Sequence, residues 1–263
     1  MINQLRAIAV VAAFAATCGV AQAETRLSFS AGVDYSTGEY GGEDETDVVA
    51  APFSVRLTSG GWSVRASSAY LWVDGPADIA ESDGSGDGSS GAIVREGKVQ
   101  GIGDTTVALE YTLREIGGSP VYVELGARAR LPTGDEEKGL GVGATDYIAT
   151  TEVGVSGEDG GAYVSVGYRW LGDNDTDDRQ DGSQAGVGAW ISTGNRTRVG
   201  AFANWREASI EGDEDPATAG VYFSYRALDD LRISVTATAG LSDASADYGT
   251  GIRFTWRPDA LSW

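Results

Sequence analysis

From residue 26 onward, apolar positions alternate with polar or small ones in runs of about ten to fourteen residues, the period of two that marks β-strands. The alternation predicts twelve strands, over residues 26–37, 47–59, 62–74, 99–114, 120–132, 144–157, 161–172, 184–194, 197–210, 217–228, 231–242 and 246–257. The connectors alternate as well. Tight ones (Gly60-Gly61, Glu115 to Ser119, Glu158 to Gly161, Gly194 to Arg196, Asp229-Asp230) interleave with longer acidic ones near 38–46, 75–98, 133–143, 173–183, 211–216 and 243–245.

The two faces of each strand differ in kind. Over 121–131 one face reads Val121, Val123, Leu125, Ala127, Ala129, Leu131 and the other Tyr122, Glu124, Gly126, Arg128, Arg130. Over 231–241, Leu231, Ile233, Val235, Ala237, Ala239 and Leu241 oppose Arg232, Ser234, Thr236, Thr238 and Gly240. Wherever a strand can be phased, its apolar face carries no charge. A lipid-facing surface requires this, because a charge at the bilayer midplane costs roughly 2–4 kcal/mol. Outward aromatics gather at two levels: Tyr35, Tyr70, Trp72, Tyr147, Tyr168, Trp170, Trp205 and Tyr248 towards the long loops, and Trp62, Tyr111, Tyr225 and Trp256 towards the short turns. Such pairs of girdles mark the two membrane interfaces. The pattern predicts an all-β fold, a transmembrane antiparallel up-and-down β-barrel of about twelve strands, with short turns in the periplasm. A soluble sandwich would need polar outer faces instead of arginine and glutamate turned towards a closed interior.

Export is legible at the N-terminus. Arg6, the uncharged run Ala7 to Ala16 and the small-x-small triplet Ala21-Gln22-Ala23 form a cleavable signal over residues 1–23. Residues 24–263 are then the barrel. Cys18 raises a lipoprotein signal as a rival, but Ala15-Ala16-Thr17 lacks the large aliphatic residue that signal uses. With cleavage after Ala23 the chain's one cysteine is lost, and with it any disulfide.

Composition narrows the chemistry. The formal charge of −20 argues against nucleic acid as a partner. The absence of histidine excludes Ser-His triads and His-assisted hydrolysis, and no Walker loop is present. No catalytic group and no cofactor are expected. A carboxylate-only site on Glu110, Glu124, Glu152, Asp104 or Asp146 competes with plain ion pairing to the arginines beside them.

The predicted lumen has the opposite charge to the whole chain. Inward phases hold twelve arginines: Arg26, Arg56, Arg65, Arg114, Arg128, Arg130, Arg169, Arg198, Arg206, Arg226, Arg232 and Arg253. Seven carboxylates oppose them: Asp34, Asp104, Glu110, Glu124, Asp146, Glu152 and Asp247. Arginine rings set anion preference in a water-filled pore. Tyr122, Tyr163, Trp190, Phe202 and Tyr222 also point inward and offer faces to an aromatic or apolar solute. Two readings stand side by side: a path for small organic acids or aromatics, and an Arg–carboxylate network that props or blocks a narrow barrel.

The loops carry one further candidate. Asp173, Asp175 and Asp177 alternate as calcium ligands do, but an EF-hand would need glycine and glutamate where Asp178 and Gln184 stand. Weak divalent-ion bridging to lipopolysaccharide phosphates competes with a merely solvated acidic rim. Residues 82–91 are low in complexity. At the far end, Trp263 supplies the aromatic last residue read by the barrel-assembly machinery, although Pro258 and Asp259 interrupt the strand and leave Trp256 as a rival anchor.

One pattern goes beyond composition. Gly101-Ile102-Gly103-Asp104 opens a strand, and Leu131-Pro132-Thr133-Gly134-Asp135 follows, then Gly139-Leu140-Gly141-Val142-Gly143 and Asp146. Over residues 99–150 this resembles the outer-membrane channel family named for the MetA pathway of phenol degradation. The resemblance implies an uptake channel and roles, architectural or functional, for Gly103, Asp104, Pro132, Thr133, Gly134 and Asp146. Asp104 and Asp146 are expected to face inward, with Arg128 or Arg130 as partner.

Overall fold

The computed structural model describes residues 25–40, 44–75, 97–173 and 179–258. The signal segment, the 82–91 run, Asp175, Asp177 and Trp263 lie outside the described residues. The strands are β1 (Thr25–Gly38), β2 (Thr46–Ser59), β3 (Trp62–Asp74), β4 (Lys98–Ile102), β5 (Thr105–Leu113), β6 (Val121–Leu131), β7 (Asp146–Ser156), β8 (Gly160–Trp170), β9 (Gly182–Ser192), β10 (Thr197–Arg206), β11 (Ala217–Arg226), β12 (Leu231–Gly240) and β13 (Tyr248–Trp256).

Apart from the short β4, each strand pairs antiparallel with a neighbour on both sides, and β1 pairs with β13, so the sheet closes on itself. β4 and β5 both pair with β3 and are halves of one strand broken at Gly103-Asp104. The architecture is therefore a closed, up-and-down, twelve-strand barrel.

The expected strands are all present, several shorter than the alternation suggests. Those expected to reach Ser209-Ile210 and Leu228 end at Arg206 and Arg226. The first of these stops because Ala208 N–H donates to the Asp215 carboxylate (2.9 Å), so the backbone leaves the ladder.

Register fixes the two faces. The outward side is apolar and exposed: Phe53, Leu125, Val166, Val221 and Phe254 mark the band, and Trp72, Trp170, Trp62 and Trp256 its borders. Within the described strands, outward charges lie beyond the upper girdle. There Asp47, Asp74 and Lys98 share one register row, Lys98 Nζ meets Asp74 Oδ2 at 2.5 Å, and the Tyr35 hydroxyl donates to Asp47 at 2.7 Å. Tyr70 and Tyr111 are partly shielded by the tilted rings of Trp72 (centroids 4.6 Å) and Trp62 (4.5 Å).

Candidate functional site: a lidded barrel interior

The interior divides along the barrel axis. At the long-loop end it is dry. Val48 and Ala50 of β2 and Leu71 and Val73 of β3 point inward and bury Leu140 of the β6–β7 loop. Leu140 thus reaches across the inner face of the barrel from β6 to β2, and Val142 and Ala144 are buried with it. Burial of the Tyr40 phenol against the same cluster pushes its pKa up to about 12, and its hydroxyl donates to Ser36 Oγ at 2.8 Å.

Asp104 holds this loop. Its carboxylate accepts three backbone N–H groups, from Thr133 (3.1 Å), Gly134 (2.9 Å) and Val142 (3.0 Å). Thr133 Oγ1 meets Thr105 Oγ1 at 2.9 Å. The expected arginine partner is replaced by backbone amides, which is why the strand must break at Gly103-Asp104. Gly134 is required for space, since a Cβ there would strike the Leu140 carbonyl. Pro132 ends β6. Further out, Asp135 caps a single 3-10 turn, Glu136–Lys138, and accepts from Lys138 Nζ at 2.6 Å. That hydrogen bond first, and the lysine charge with it, holds the Asp135 carboxyl below its ordinary range.

A second knot lies beside the lid. Asp146 is wholly buried and accepts from Arg130 Nε (2.9 Å) and Nη2, Arg179 Nη1 (2.8 Å) and Nη2 (3.0 Å), and Gly172 N–H (3.0 Å). Arg169 is buried as well and donates to the Glu207 carbonyl. Arg130, Asp146 and Arg169 therefore belong to buried clusters beside the lid and not to a solvated wall. Arg179 belongs with them and escaped the sequence reading. A loop residue has no periodicity to phase it, and its only signal was a lone cation among five aspartates.

Towards the short-turn end the interior is polar and partly exposed. Arg56 Nη1 meets Glu110 Oε2 at 3.2 Å, Arg65 Nη2 lies 4.0 Å from Glu110 Oε1, and Arg253 Nη2 lies 3.2 Å from Asp34 Oδ2. Glu124 and Glu152 are direct cross-strand neighbours. Hydroxyl donors keep that pair in place, from Thr112 to Glu124 and from Tyr122 to Glu152, both at 2.7 Å. Arg128 occupies an inward register position opposite Ala108 and Ile148, and Arg206 one opposite Gln184.

Charge is unevenly spread around this ring, although Arg65 and Arg128 stand on the acidic side. Glu110, Glu124 and Glu152 stand on β5, β6 and β7, whereas Arg226, Arg232 and Arg253 stand on β11, β12 and β13, six strands away in a ring of twelve. Arg257, just beyond β13, joins the basic wall. Burial first, then the Arg56, Arg226 and Arg26 guanidiniums, lowers its pKa. Continuing the odd-numbered inward phase of β13 past Trp256 would have found it.

The inward aromatics follow one rule. Tyr122, Tyr163, Trp190, Phe202 and Tyr222 each face a glycine on the next strand: Gly154, Gly188, Gly161, Gly220 and Gly200. A Cβ at any of these glycines would sit 2.5–2.7 Å from a ring atom. The rings therefore lie flat on the barrel wall, filling the space a side chain would take. Arg198 stacks on Trp190, its Cζ 3.7 Å from the ring centroid. No group of three metal-ligating side chains occurs among the described residues.

This is the fold of outer-membrane barrels. The chain is similar to the KdgM porin, at 10% identity over 87% of this chain and 98% of that one, with a TM-score of 0.53. It is also similar to the KdgM porin in complex with disordered oligogalacturonate (12% identity, 88% and 97% covered, TM-score 0.51). A further match is the CymD monoaromatic hydrocarbon channel (10% identity, 90% and 89% covered, TM-score 0.44). No protein-family model and no curated protein matches the sequence. At these identities the likeness concerns the fold.

Proposed function

We propose that the protein is an outer-membrane channel for passive diffusion of small solutes, favouring anionic and aromatic organic compounds. The observation that carries this is the polar short-turn half of the interior, where Arg198, Arg226, Arg232 and Arg257 collect on one wall and the aromatic rings lie flat against it. Guanidinium-lined water passes anions preferentially. The neighbouring porin folds and the lack of histidine favour transport over catalysis. Within this reading the lining comprises Arg56, Arg65, Glu110, Glu124, Arg128, Glu152, Arg206, Arg232, Arg253, Tyr122, Tyr163 and Trp190. Gly103, Asp104, Pro132, Thr133 and Gly134 build the lid, which agrees with kinship to the MetA-pathway channel family. Lipid meets the apolar band, lipopolysaccharide meets the acidic loops, and the assembly machinery inserts the barrel.

The dry lid favours a second reading, a barrel that does not conduct at rest. Planar-bilayer recording of the purified protein separates the two. The channel reading expects steps of conductance with an anion-selective reversal potential, reduced in Arg226→Ser with Arg232→Ser. No conductance from the native protein or from a lid-released Asp104→Ala variant would overturn it.

A further inference from the structure

Cationic groups on β10 to β13 stand in an arrangement that internal pairing does not explain. Arg226 and Arg232 are direct cross-strand partners, a placement that repulsion disfavours. The charged groups acting on Arg232 are the guanidiniums of Arg257, Arg198 and Arg226. Its own hydrogen bond goes to a neutral hydroxyl, Ser224 Oγ, at 3.1 Å. The carboxylates of the adjoining turn are engaged elsewhere: Asp229 lies 3.7 Å from Arg196, and Asp230 accepts from Trp256 Nε1 at 2.9 Å. This differs from Arg56 and Arg253, each of which has a carboxylate at 3.2 Å. Among the described residues these four guanidiniums have no acid among them, an arrangement that calls for an anion of more than one charge.

The same wall is flat and aromatic. Tyr222 lies against Gly200, within electrostatic reach of Arg198 on one side and Arg232 on the other. Trp190 lies against Gly161 and carries Arg198 on its exposed face. Stacking holds that guanidinium in one plane, so its donor fork is pre-organised, and Arg198 Nε is buried without an acceptor. A ring has a face to rest on and two or more guanidiniums at its edges.

We propose that Arg198, Tyr222, Arg232 and Arg226 form a saturable binding site for aromatic dicarboxylates on the inner wall of the barrel. The ligand's ring lies on Tyr222, one carboxylate takes the Arg198 fork, and the other lies between Arg226 and Arg232. The proposal rests on the channel reading only in that solute must reach the interior. It predicts binding whether or not the lid lets solute through.

Calorimetric titration of the full-length barrel in neutral detergent at low salt tests it with three probes: isophthalate, benzoate and glutarate. Isophthalate is expected to saturate one site, with benzoate and glutarate each at least about tenfold weaker, as loss of one charge-assisted contact or of the stacking face predicts. Arg198→Gln and Tyr222→Leu should each weaken isophthalate by about tenfold or more, while outward Trp205→Phe leaves it unchanged. Trp190 is the described tryptophan that faces inward, so isophthalate should alter tryptophan emission in the native protein and not in Trp190→Phe. Equal affinity for glutarate and isophthalate would overturn the aromatic class. Absence of saturable binding, or binding indifferent to Arg198 and Tyr222 in variants that keep the compact gel mobility of a folded barrel, would overturn the site. Conductance without binding removes this proposal alone. Binding without conductance removes the channel and leaves the site.

Discussion

The two ends of the barrel interior use the same residue types to opposite effect. Near the long loops, Asp146 draws Arg130 and Arg179 onto one wholly buried carboxylate, and Asp104 gathers three backbone amides. Near the short turns, Arg226, Arg232 and Arg257 stand together with no acid between them among the described residues. The first arrangement satisfies its charges internally and leaves nothing for a solute to do. The second leaves its charges to water or a visiting anion. Arginine content alone therefore says little about permeation. What matters is whether each guanidinium has an acceptor inside the protein, because a buried charge with its partner is structure and a solvated one without is a binding element.

The sharpest way to break this contrast is to remove the acceptor at the dry end. Asp146→Ala removes the carboxylate that two buried guanidiniums share, and breaking a buried pair costs about 3–5 kcal/mol. The urea midpoint of the folded barrel in lipid or detergent should fall accordingly. The matching change at the wet end, Arg226→Ser, should leave the midpoint unchanged or raise it, since it relieves repulsion with Arg232. Equal losses at the two ends would abolish the distinction.

Asp104→Ala comes next. Hydrogen bonds to a charged acceptor contribute about 1.5–3 kcal/mol each, and part of this returns when the freed amides meet water. The net loss should be about 2–3 kcal/mol and confined to the lid. Protease should then cut within 132–145 while the strands stay intact, and conductance should rise. A variant that keeps a protease-resistant loop would show that Leu140 burial alone seats the lid.

Gly188→Val tests the flat rings. A branched side chain there would collide with Tyr163, because even a bare Cβ at Gly188 would sit 2.5 Å from the tyrosine ring. Overpacking of this kind costs about 1–3 kcal/mol. The ring must lift into the bore, so single-channel conductance should drop even where the barrel still assembles. Gly188→Ala should show the same direction with a smaller change.

What the sequence disclosed follows from periodicity. Strands such as 121–131 and 231–240 announce both faces, because inward and outward residues alternate and lipid tolerates no charge on one side. The cross-strand acids and arginines follow from phase alone, as does Arg257 once the phase of β13 is extended. The lid was not legible. Leu140 reads as one apolar residue in a glycine-rich loop, and nothing local says that it reaches along the inner wall to meet Val48 and Leu71. Nor did phase distinguish Arg130 from Arg128, both inward on β6, although only Arg130 lies level with Asp146 in the register. Glycine opposite each inward aromatic was visible as composition, 38 glycines in 263 residues, yet only the register shows what the glycines accommodate.

The smallest expected effect lies at the outer surface of the lid, where Asp135 and Lys138 close the 3-10 turn. Both groups are solvent-exposed, so their coupling tunes the loop without deciding the fold. The sign follows from the shift. The Asp135 carboxyl titrates below its unfolded value of about 3.9, so the folded loop binds fewer protons than the unfolded one between those two pH values. Its contribution is present above the unfolded value and is lost as pH falls through the lower, folded one. Lys138 is shifted the other way, raised by the same hydrogen bond, so its share is complete below the ordinary lysine range and is lost as pH rises through the folded value. Lid closure, read as protection of loop amides from hydrogen exchange, should therefore weaken slightly at both extremes. Asp135→Asn should flatten the acid limb while leaving the Asp104 contacts in place. An acid limb of unchanged depth in that variant would show that the Asp135–Lys138 contact does not carry the pH dependence of the loop.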